Sequence, residues 1–199
     1  MILSSVIVSG QTINIPDDFG TIQLGINAAS DGDTILVDTG LYIENIDFSG
    51  KNIKLFSHFV FTMDTNLIHQ TIIDGDSSGS VITVTSGEDS SAQLSGFTIQ
   101  NGYDTLGGGI KVINSGITIL NCIITNNVAY FSGGGIYCEN SDPIISLSTI
   151  SNNYIQGGTS METSSGGGVC LLNSGGAITY SDIKSNSIIY GGLRMGGGI

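Results

Sequence analysis

A short acidic turn has the spacing that best suits metal chemistry. Asp74, Asp76, Ser78 and Gly79 fall at the first, third, fifth and sixth positions of a calcium-binding loop, where side-chain oxygens bind the cation and glycine permits a sharp turn. Thr85 stands where such a loop has a bidentate glutamate. Two interpretations stay open, a calcium site at Asp74 and Asp76 or a plain polar turn. The turn is favoured because neither Ser78 nor Thr85 supplies a carboxylate.

Acid–base chemistry has few other candidates. The carboxylate pairs Asp31/Asp33 and Glu88/Asp89 would act as acid and base only with a facing partner in a cleft, so turn roles are favoured for them. His58 and His69 lie among phenylalanines in a segment without clear periodicity, which favours a packed loop over a catalytic base. Lys111 and Lys184 fall at outward positions of predicted strands. No catalytic residue is assigned.

Tyrosine side chains could stack on sugar rings, because they are flat and carry a polar end. Tyr137 aligns with Lys111 and Cys170 in the repeats described below, which predicts an outward-facing stripe. The tyrosines considered as exposed candidates are Tyr42, Tyr103, Tyr130, Tyr137, Tyr154 and Tyr190.

Composition and charge exclude several classes of partner. The 199 residues include 17 acidic and only 5 basic side chains, a net charge of −12. Such a chain repels nucleic-acid phosphates and anionic membranes, so no nucleic acid is expected as a partner. Cations remain open as ligands. Three cysteines without Cys-x-x-Cys spacing indicate neither a zinc site nor a disulfide framework, and buried free thiols are expected.

Two landmarks recur in register along the chain, and these must position any site. A Gly-Gly-Gly-apolar motif begins at residues 107, 133, 166 and 196, in steps of 26, 33 and 30 residues. An Ile-x-Asn-Asn-like motif begins at residues 99, 124, 150 and 183. Between them apolar residues alternate in short runs, including Ile178/Tyr180, as in strands with one buried face. The sequence predicts a parallel β-helix, with stacked coils of roughly 25 residues.

The landmark residues suit the corners of such a coil. Glycine and asparagine tolerate positive φ, and stacked asparagines can bond from coil to coil. The insertion at residues 156–165 would loop out from one corner. Short strands are predicted earlier in the chain at Thr34–Val37, Leu41–Phe48, Asn52–Phe56, Thr71–Ile73 and Ser80–Thr85. From about residue 34 there is room for about six coils.

The N-terminal part predicts a cap. Ile22, Ile26 and Ala29 fall on one face of a short helix, which would cover the open end of the solenoid. Residues 1–10 are apolar and end in small residues, as in a signal-peptide remnant, with a first strand as the alternative. Residues 11–199 are expected to form a single domain. The Gly196–Ile199 motif begins a coil that does not close, which predicts a truncated C-terminus. No later stretch is apolar and long enough to span a bilayer.

Several segments together resemble a known superfamily. They are Asp18–Val37, Gly40–Asn45, Thr71–Gly75, Leu94–Gly102 and the Gly-Gly-Gly-Ile-Tyr-Cys138 coil. This pattern is similar to the pectin-lyase-like right-handed parallel β-helix superfamily, and most of all to exported bacterial right-handed β-helix repeat proteins of unknown function. The resemblance covers nearly the whole chain and implies an all-β, right-handed parallel β-helix with a short N-terminal capping helix. The catalytic motifs of pectinesterases, pectate lyases and polygalacturonases have no counterpart in this sequence.

The fold does not fix the function. The favoured hypothesis is a non-enzymatic, secreted or cell-surface bacterial module that presents a rigid face for adhesion or polysaccharide binding. The alternative, implied by the resemblance, is a polysaccharide-active lyase, esterase or hydrolase. A third is end-to-end self-association of coils into a filament. The expected partner is a polysaccharide or cell-surface glycan, and no cofactor is assigned apart from the calcium ion considered above.

Overall fold

The chain winds through stacked parallel sheets. The computed structural model describes residues 10–157, 163–189 and 193–195. Throughout this part of the chain, each named strand pairs in parallel with its counterparts from adjacent coils. The architecture is an all-β parallel solenoid, as the repeats predict.

Two sheets form adjacent faces of the solenoid, and strands are labelled in chain order. Sheet A contains β1 (Thr12–Ile15), β2 (Thr34–Val37), β5 (Lys54–Ser57), β8 (Gln93–Ser95), β12 (Thr118–Leu120), β16 (Ile144–Ser146) and β21 (Ala177–Thr179). Sheet B contains β3 (Gly40–Ile43), β6 (Thr71–Asp74), β9 (Thr98–Gln100), β13 (Ile123–Thr125), β17 (Thr149–Ser151) and β22 (Asp182–Lys184). Sheet A thus takes six successive strands from residue 34 onwards, in agreement with the predicted six coils.

The remaining strands form two further sheets. Sheet C contains β4 (Ile46–Asp47), β7 (Ile82–Val84), β11 (Ile110–Ile113), β15 (Ile136–Glu139) and β20 (Val169–Leu172). Sheet D contains β10 (Tyr103–Leu106), β14 (Val128–Ser132), β18 (Tyr154–Ile155), β19 (Thr163–Ser165), β23 (Ser187–Ile188) and β24 (Leu193–Met195). The glycine triplets that begin at residues 107, 133 and 166 each connect sheet D to sheet C. The first glycine of each triplet has φ +64°, at Gly107, Gly133 and Gly166, a conformation in which a Cβ is costly.

Three short helices occur in the described part of the chain: α1 (Ile22–Ala28), α2 (Phe59–Thr62) and α3 (Asn66–Gln70). Helix α1 confirms the predicted helix. It connects β1 and β2, two neighbouring strands of sheet A, and so takes the place of the other sheets in the first coil. Its buried Ile22 and Ile26 join the same apolar cluster as Ile13 and Ile35, and so α1 covers this end of the core. None of these helices is long and apolar enough to cross a membrane.

The core is a column of aliphatic side chains enclosed by the sheets. One residue per strand recurs at the same level, as in the fully buried series Ile119–Ile145 of sheet A and Ile124–Ile150 of sheet B. Each buried isoleucine removes enough apolar surface from water to contribute about 1.5–3 kcal/mol relative to exposure. The stacking of like residues therefore stabilises the coils and sets their register.

The corner between sheets B and D confirms the predicted asparagine stack. Its first residue has φ of about +56° at Asn101, Asn126 and Asn152. The residue after it builds a buried ladder: Asn127 Nδ2 donates to Asn153 Oδ1 at 3.0 Å, and Asn153 Nδ2 donates to Asn186 Oδ1 at 3.1 Å. The same amides also donate to backbone carbonyls.

Two predictions at this level need correction. The strand predicted at Leu41–Phe48 is two strands in different sheets, because Glu44 and Asn45 form a corner that no landmark signals. The segment around His58 and His69 is not an irregular loop but contains α2 and α3. Residues 1–9, 158–162, 190–192 and 196–199 lie outside the described residues. They contain most of the predicted leader, part of the predicted loop, the candidate Tyr190 and the last glycine triplet.

Candidate functional site

A polar notch interrupts the corner where sheet C turns into sheet A. It is an open cleft of about 330 Å³, lined by Glu88, Asp89, Ser90, Asn114, Ser115, Gly116, Asn140, Ser141 and Asp142. These are the same corner of three successive coils. The middle coil forms the floor and the two flanking coils form the walls.

Two coils are in close backbone contact at Gly116, on the floor of the notch. Gly116 occupies the position that Asp142 holds one coil later. A Cβ at Gly116 would lie 2.9 Å from the carbonyl carbon of Asp89 and from the nitrogen of Ser90, so only glycine fits. On the other side the loop at residues 85–92 is longer than the turn at residues 114–117. The middle coil is therefore recessed between a longer loop and a carboxylate.

The walls of the notch carry two exposed carboxylates held in place by backbone amides. Asp89 Oδ1 accepts from Ser91 N at 2.7 Å, and Asp142 Oδ1 accepts from Gly175 N at 2.8 Å. Hydrogen bonds from Ser91 keep the pKa of Asp89 below its ordinary value. The carboxylate of Asp89 is therefore ionised at neutral pH and accepts hydrogen bonds, whereas a general acid of a glycosidase needs a raised pKa.

Glu88 also belongs to the notch, but its carboxylate faces inwards. It is 3 % exposed, and its two oxygens accept from Gly50 N at 2.8 Å and Ser86 N at 2.9 Å. Both oxygens are thus bound to backbone amides, and Glu88 shapes the longer loop.

A second corner of the same coils is unusual. It lies at the end of the sheet A strands opposite the notch, where sheet A turns into sheet B. Successive coils place Gly96, Asn121, Leu147 and Tyr180 there, with φ of +89°, +51°, +53° and +51°. Glycine and asparagine suit this conformation, but in other residues the left-handed region costs about 1–2 kcal/mol each. Leu147 is 58 % exposed although a coil lies on each side of it, so core packing does not explain this residue. Tyr180 is also exposed, in the last coil of sheets A and B that the structure describes.

The outer face of sheet A joins the notch to this corner. Asp142 and Leu147 are five residues apart on one coil, a span of at most about 16 Å. Hydroxyl groups lie between them, and Thr179 Oγ1 donates to Ser146 Oγ at 3.0 Å.

No family model, curated protein or solved structure matches this chain.

The structure places the proposed calcium ligands in a turn after β6. Asp74 Oδ2 accepts from Gln100 Nε2 at 2.8 Å and from Asn101 Nδ2 at 2.7 Å, and Oδ1 accepts from Asp76 N at 3.0 Å. Burial would raise the pKa of Asp74, but these hydrogen bonds outweigh it and lower the pKa. The contacts account for Asp74 as a turn residue, and the calcium site at Asp74 and Asp76 stays a prediction. In the described part of the chain, no three His, Cys, Asp or Glu side chains come together as a metal site.

Several titratable side chains outside the notch, including some of the acid–base candidates, have structural partners. Asp33 accepts from Gln11 N at 2.7 Å and from Ser30 N at 2.8 Å, in the turn role predicted for it. Lys51 donates to Ile26 O and Asn27 O, at the C-terminal end of α1. His58 Nε2 lies 2.7 Å from Asp38 Oδ1. His69 is exposed on α3. None of these side chains lines the notch.

The predicted stripe on sheet C exists in register but is covered. Tyr137 lies between Lys111 and Cys170, yet it is only 4 % exposed, so Tyr137 is wrong as a sugar-stacking candidate. Sheet D lies against this face: Lys111 Nζ donates to Asp104 Oδ2 at 2.6 Å, and the Cys170 thiol is hydrogen-bonded to sheet D serines. Tyr137 Oη donates a hydrogen bond to Glu139. Burial is the largest cause of the raised pKa of Tyr137, and this hydrogen bond raises the pKa further.

The three cysteines, all within the described residues, are unpaired. Burial raises the pKa of Cys122 to about 11 and that of Cys138 to about 12. The expected buried free thiols are confirmed for these two, whereas Cys170 is partly exposed. The raised pKa values make the thiols poor nucleophiles at neutral pH.

Tyr180 is the functional candidate that the sequence pattern missed. The alternation of apolar residues predicts that Ile178 and Tyr180 share one buried strand face. In the structure, β21 ends at Thr179 and Tyr180 turns outwards. The repeat steps carry the missing signal. Tyr180 lies 33 residues after Leu147, which lies 26 residues after Asn121, and this alignment places all three at one corner.

Proposed function

We propose that this chain is a non-enzymatic, secreted or cell-surface bacterial module that binds polysaccharide in the notch at Gly116. The observation that supports the proposal is the pair of exposed carboxylates, Asp89 and Asp142, on either side of a recessed polar floor. Carboxylates form strong, charge-assisted hydrogen bonds with the hydroxyl groups of a sugar. An open cleft on a rigid solenoid suits part of a long polymer better than a small enclosed ligand.

The proposal includes the finer details of the fold. A right-handed coil follows the strong preference of parallel strand connections for that hand, and a pectin-lyase-like β-helix accords with the sequence resemblance. Catalysis is not part of the proposal, because the pKa of Asp89 is lowered by its hydrogen bonds from Ser91, whereas a general acid needs a raised pKa.

Binding and catalysis can be tested on one preparation. The labelled protein is applied to a glycan array, and the same sample is assayed for uronate-lyase absorbance, ester hydrolysis and release of reducing ends, with and without calcium. We expect binding to at least one class of glycan and no turnover. Turnover of any polymer would contradict the proposal in favour of an enzyme.

A matched pair of variants tests the notch. The double variant D89N/D142N keeps the carbonyl acceptors for Ser91 N and Gly175 N but removes both charges, so weaker hydrogen bonds should lower glycan affinity about tenfold or more. The control D17N makes the same chemical change at an exposed turn outside the notch, where affinity should not change. Equal affinity for all three proteins would place binding elsewhere.

A further inference from the structure

The bulky residues at the corner between sheets A and B are not required by the solenoid. In the preceding coils Gly96 and Asn121 occupy this position, also with positive φ. Leu147 and Tyr180 have positive φ at a cost in strain, and Leu147 remains largely exposed although a coil lies on each side of it. Strain that brings no burial in the free protein points to a role outside the fold.

The two residues lie next to each other in adjacent coils. Leu147 N donates to Thr179 O at 3.2 Å, and the register pairs Ser146 with Thr179. Tyr180 therefore follows Leu147 at the spacing of parallel strands, about 4.8 Å. Together they form an apolar platform, defined here as the side chains of Leu147 and Tyr180.

The platform and the notch lie at the two ends of one exposed surface. The coil that carries Asp142 in the notch also carries Leu147, and the next coil carries Tyr180. Between them the outer face of sheet A presents Ser146, Thr179 and Ile144, all at least partly exposed. A span of at most about 16 Å along the coil accommodates several sugar rings of an extended chain.

Charge selects among the polymers that such a surface could accept. The nine residues that line the notch include three acidic and no basic side chains, and the whole chain carries a net charge of −12. A polyuronate would be repelled by this surface. A neutral sugar chain offers hydroxyl groups to the carboxylates and C–H ring faces to Tyr180 and Leu147.

The geometry points to a second subsite: Leu147 and Tyr180 form a stacking platform for a neutral polysaccharide that runs from the notch across sheet A. This inference rests on the proposed polysaccharide-binding function and adds the class of ligand and its direction. It also assigns the strain at both residues to binding.

Substitution by asparagine separates a binding role from a structural one. L147N and Y180N introduce the residue that occupies this corner at Asn121. Because asparagine tolerates positive φ, each variant should melt about 3 °C higher than the wild type. Each should bind neutral hexasaccharides at least tenfold more weakly, as measured by calorimetry with gluco-, manno-, xylo- and galacto-oligosaccharides. Oligogalacturonate of equal length serves as the charged comparison.

The control is Y103N, which removes a tyrosine that is 39 % exposed on sheet D, away from the platform. Tyr103 is not among the positive-φ residues of the described chain, so Y103N should neither raise the melting temperature nor weaken binding.

The outcomes distinguish this inference from the proposed function. If L147N and Y180N melt higher and lose affinity while Y103N does neither, the platform is supported. If the wild type binds neutral oligosaccharides and both variants bind equally well, the platform is wrong and the notch alone carries the proposed function. Preference for oligogalacturonate would overturn the neutral ligand class. If the wild type binds no glycan on the array, the proposed function itself fails.

Discussion

Two corners of the same coils follow different rules. At the corner between sheets B and D, each residue is explained by the fold: an asparagine or serine takes positive φ, and a buried asparagine then bonds to the next coil. At the corner between sheets A and B the backbone also has positive φ, but Leu147 and Tyr180 stand where an earlier coil has Asn121, a residue type that tolerates this conformation. A departure from the local rule thus marks a surface that folding alone does not require.

The difference extends to the surfaces beside the two corners. Near the asparagine ladder, sheet D covers polar groups of sheet C, and each has a partner, as in the Lys111–Asp104 pair. Throughout the described residues, no buried side-chain nitrogen or oxygen lacks a hydrogen-bond partner. At the corner between sheets C and A, Asp89 and Asp142 face solvent in the notch. One side of the solenoid therefore stabilises the coils, and the other side is available for a ligand.

The largest effect is expected from breaking the asparagine ladder. Asn153 is fully buried, and its side chain bonds to Asn127, Asn186 and the carbonyl of Ile124. N153A would leave several buried groups without partners, so the free energy of unfolding should fall by about 3 kcal/mol or more. Urea unfolding measures the loss.

The neighbouring residue supplies a matched control. Asn152 is exposed and has positive φ, so N152A should lower the free energy of unfolding by only about 1 kcal/mol. Equal losses for N152A and N153A would show that backbone conformation, and not the buried ladder, makes this corner stable.

A smaller effect is expected at the covered ion pair, and it depends on pH. Burial would raise the pKa of Asp104, but hydrogen bonds from Lys111 and Ser80 outweigh it and lower the pKa. The stabilisation is therefore present above the unfolded pKa of about 3.9 and is lost as the pH falls through the lower folded value. D104N should reduce the free energy of unfolding by about 1–2 kcal/mol at pH 7, and its deficit should shrink below about pH 4.

An exposed pair serves as the comparison for Asp104. Asp182 and Lys184 lie 3.3 Å apart with side chains 70 % and 60 % exposed, so D182N should change the stability by less than about 0.5 kcal/mol. A deficit of D104N that stays constant from pH 7 to pH 3 would rule out the charge of Asp104 as its cause.

Much of this contrast was accessible from the sequence, but unevenly. The glycine triplets and paired asparagines predicted the coils, the six-strand stack and the ladder, because turns that need positive φ restrict the residue type. The cover over Tyr137 was not predicted, since it depends on sheet D packing against sheet C and has no local signal. Tyr180 was missed because alternation placed it on a strand. The notch depends on Gly116 meeting Asp89 from another coil, a contact that spacing alone does not reveal.

The smallest effect is expected from placing a leucine at the corner between sheets A and B in a coil that has an asparagine there. Asn121 occupies the position of Leu147 one coil earlier, with φ +51°, and in N121L a residue poorly suited to this conformation would extend the platform. The free energy of unfolding should fall by about 1 kcal/mol, whereas N121G should be nearly neutral because glycine adopts positive φ freely. Thermal and urea unfolding of the two variants give the comparison. If N121L were as stable as N121G, the backbone would accept leucine without strain, and the residues at Leu147 and Tyr180 would need no explanation from binding.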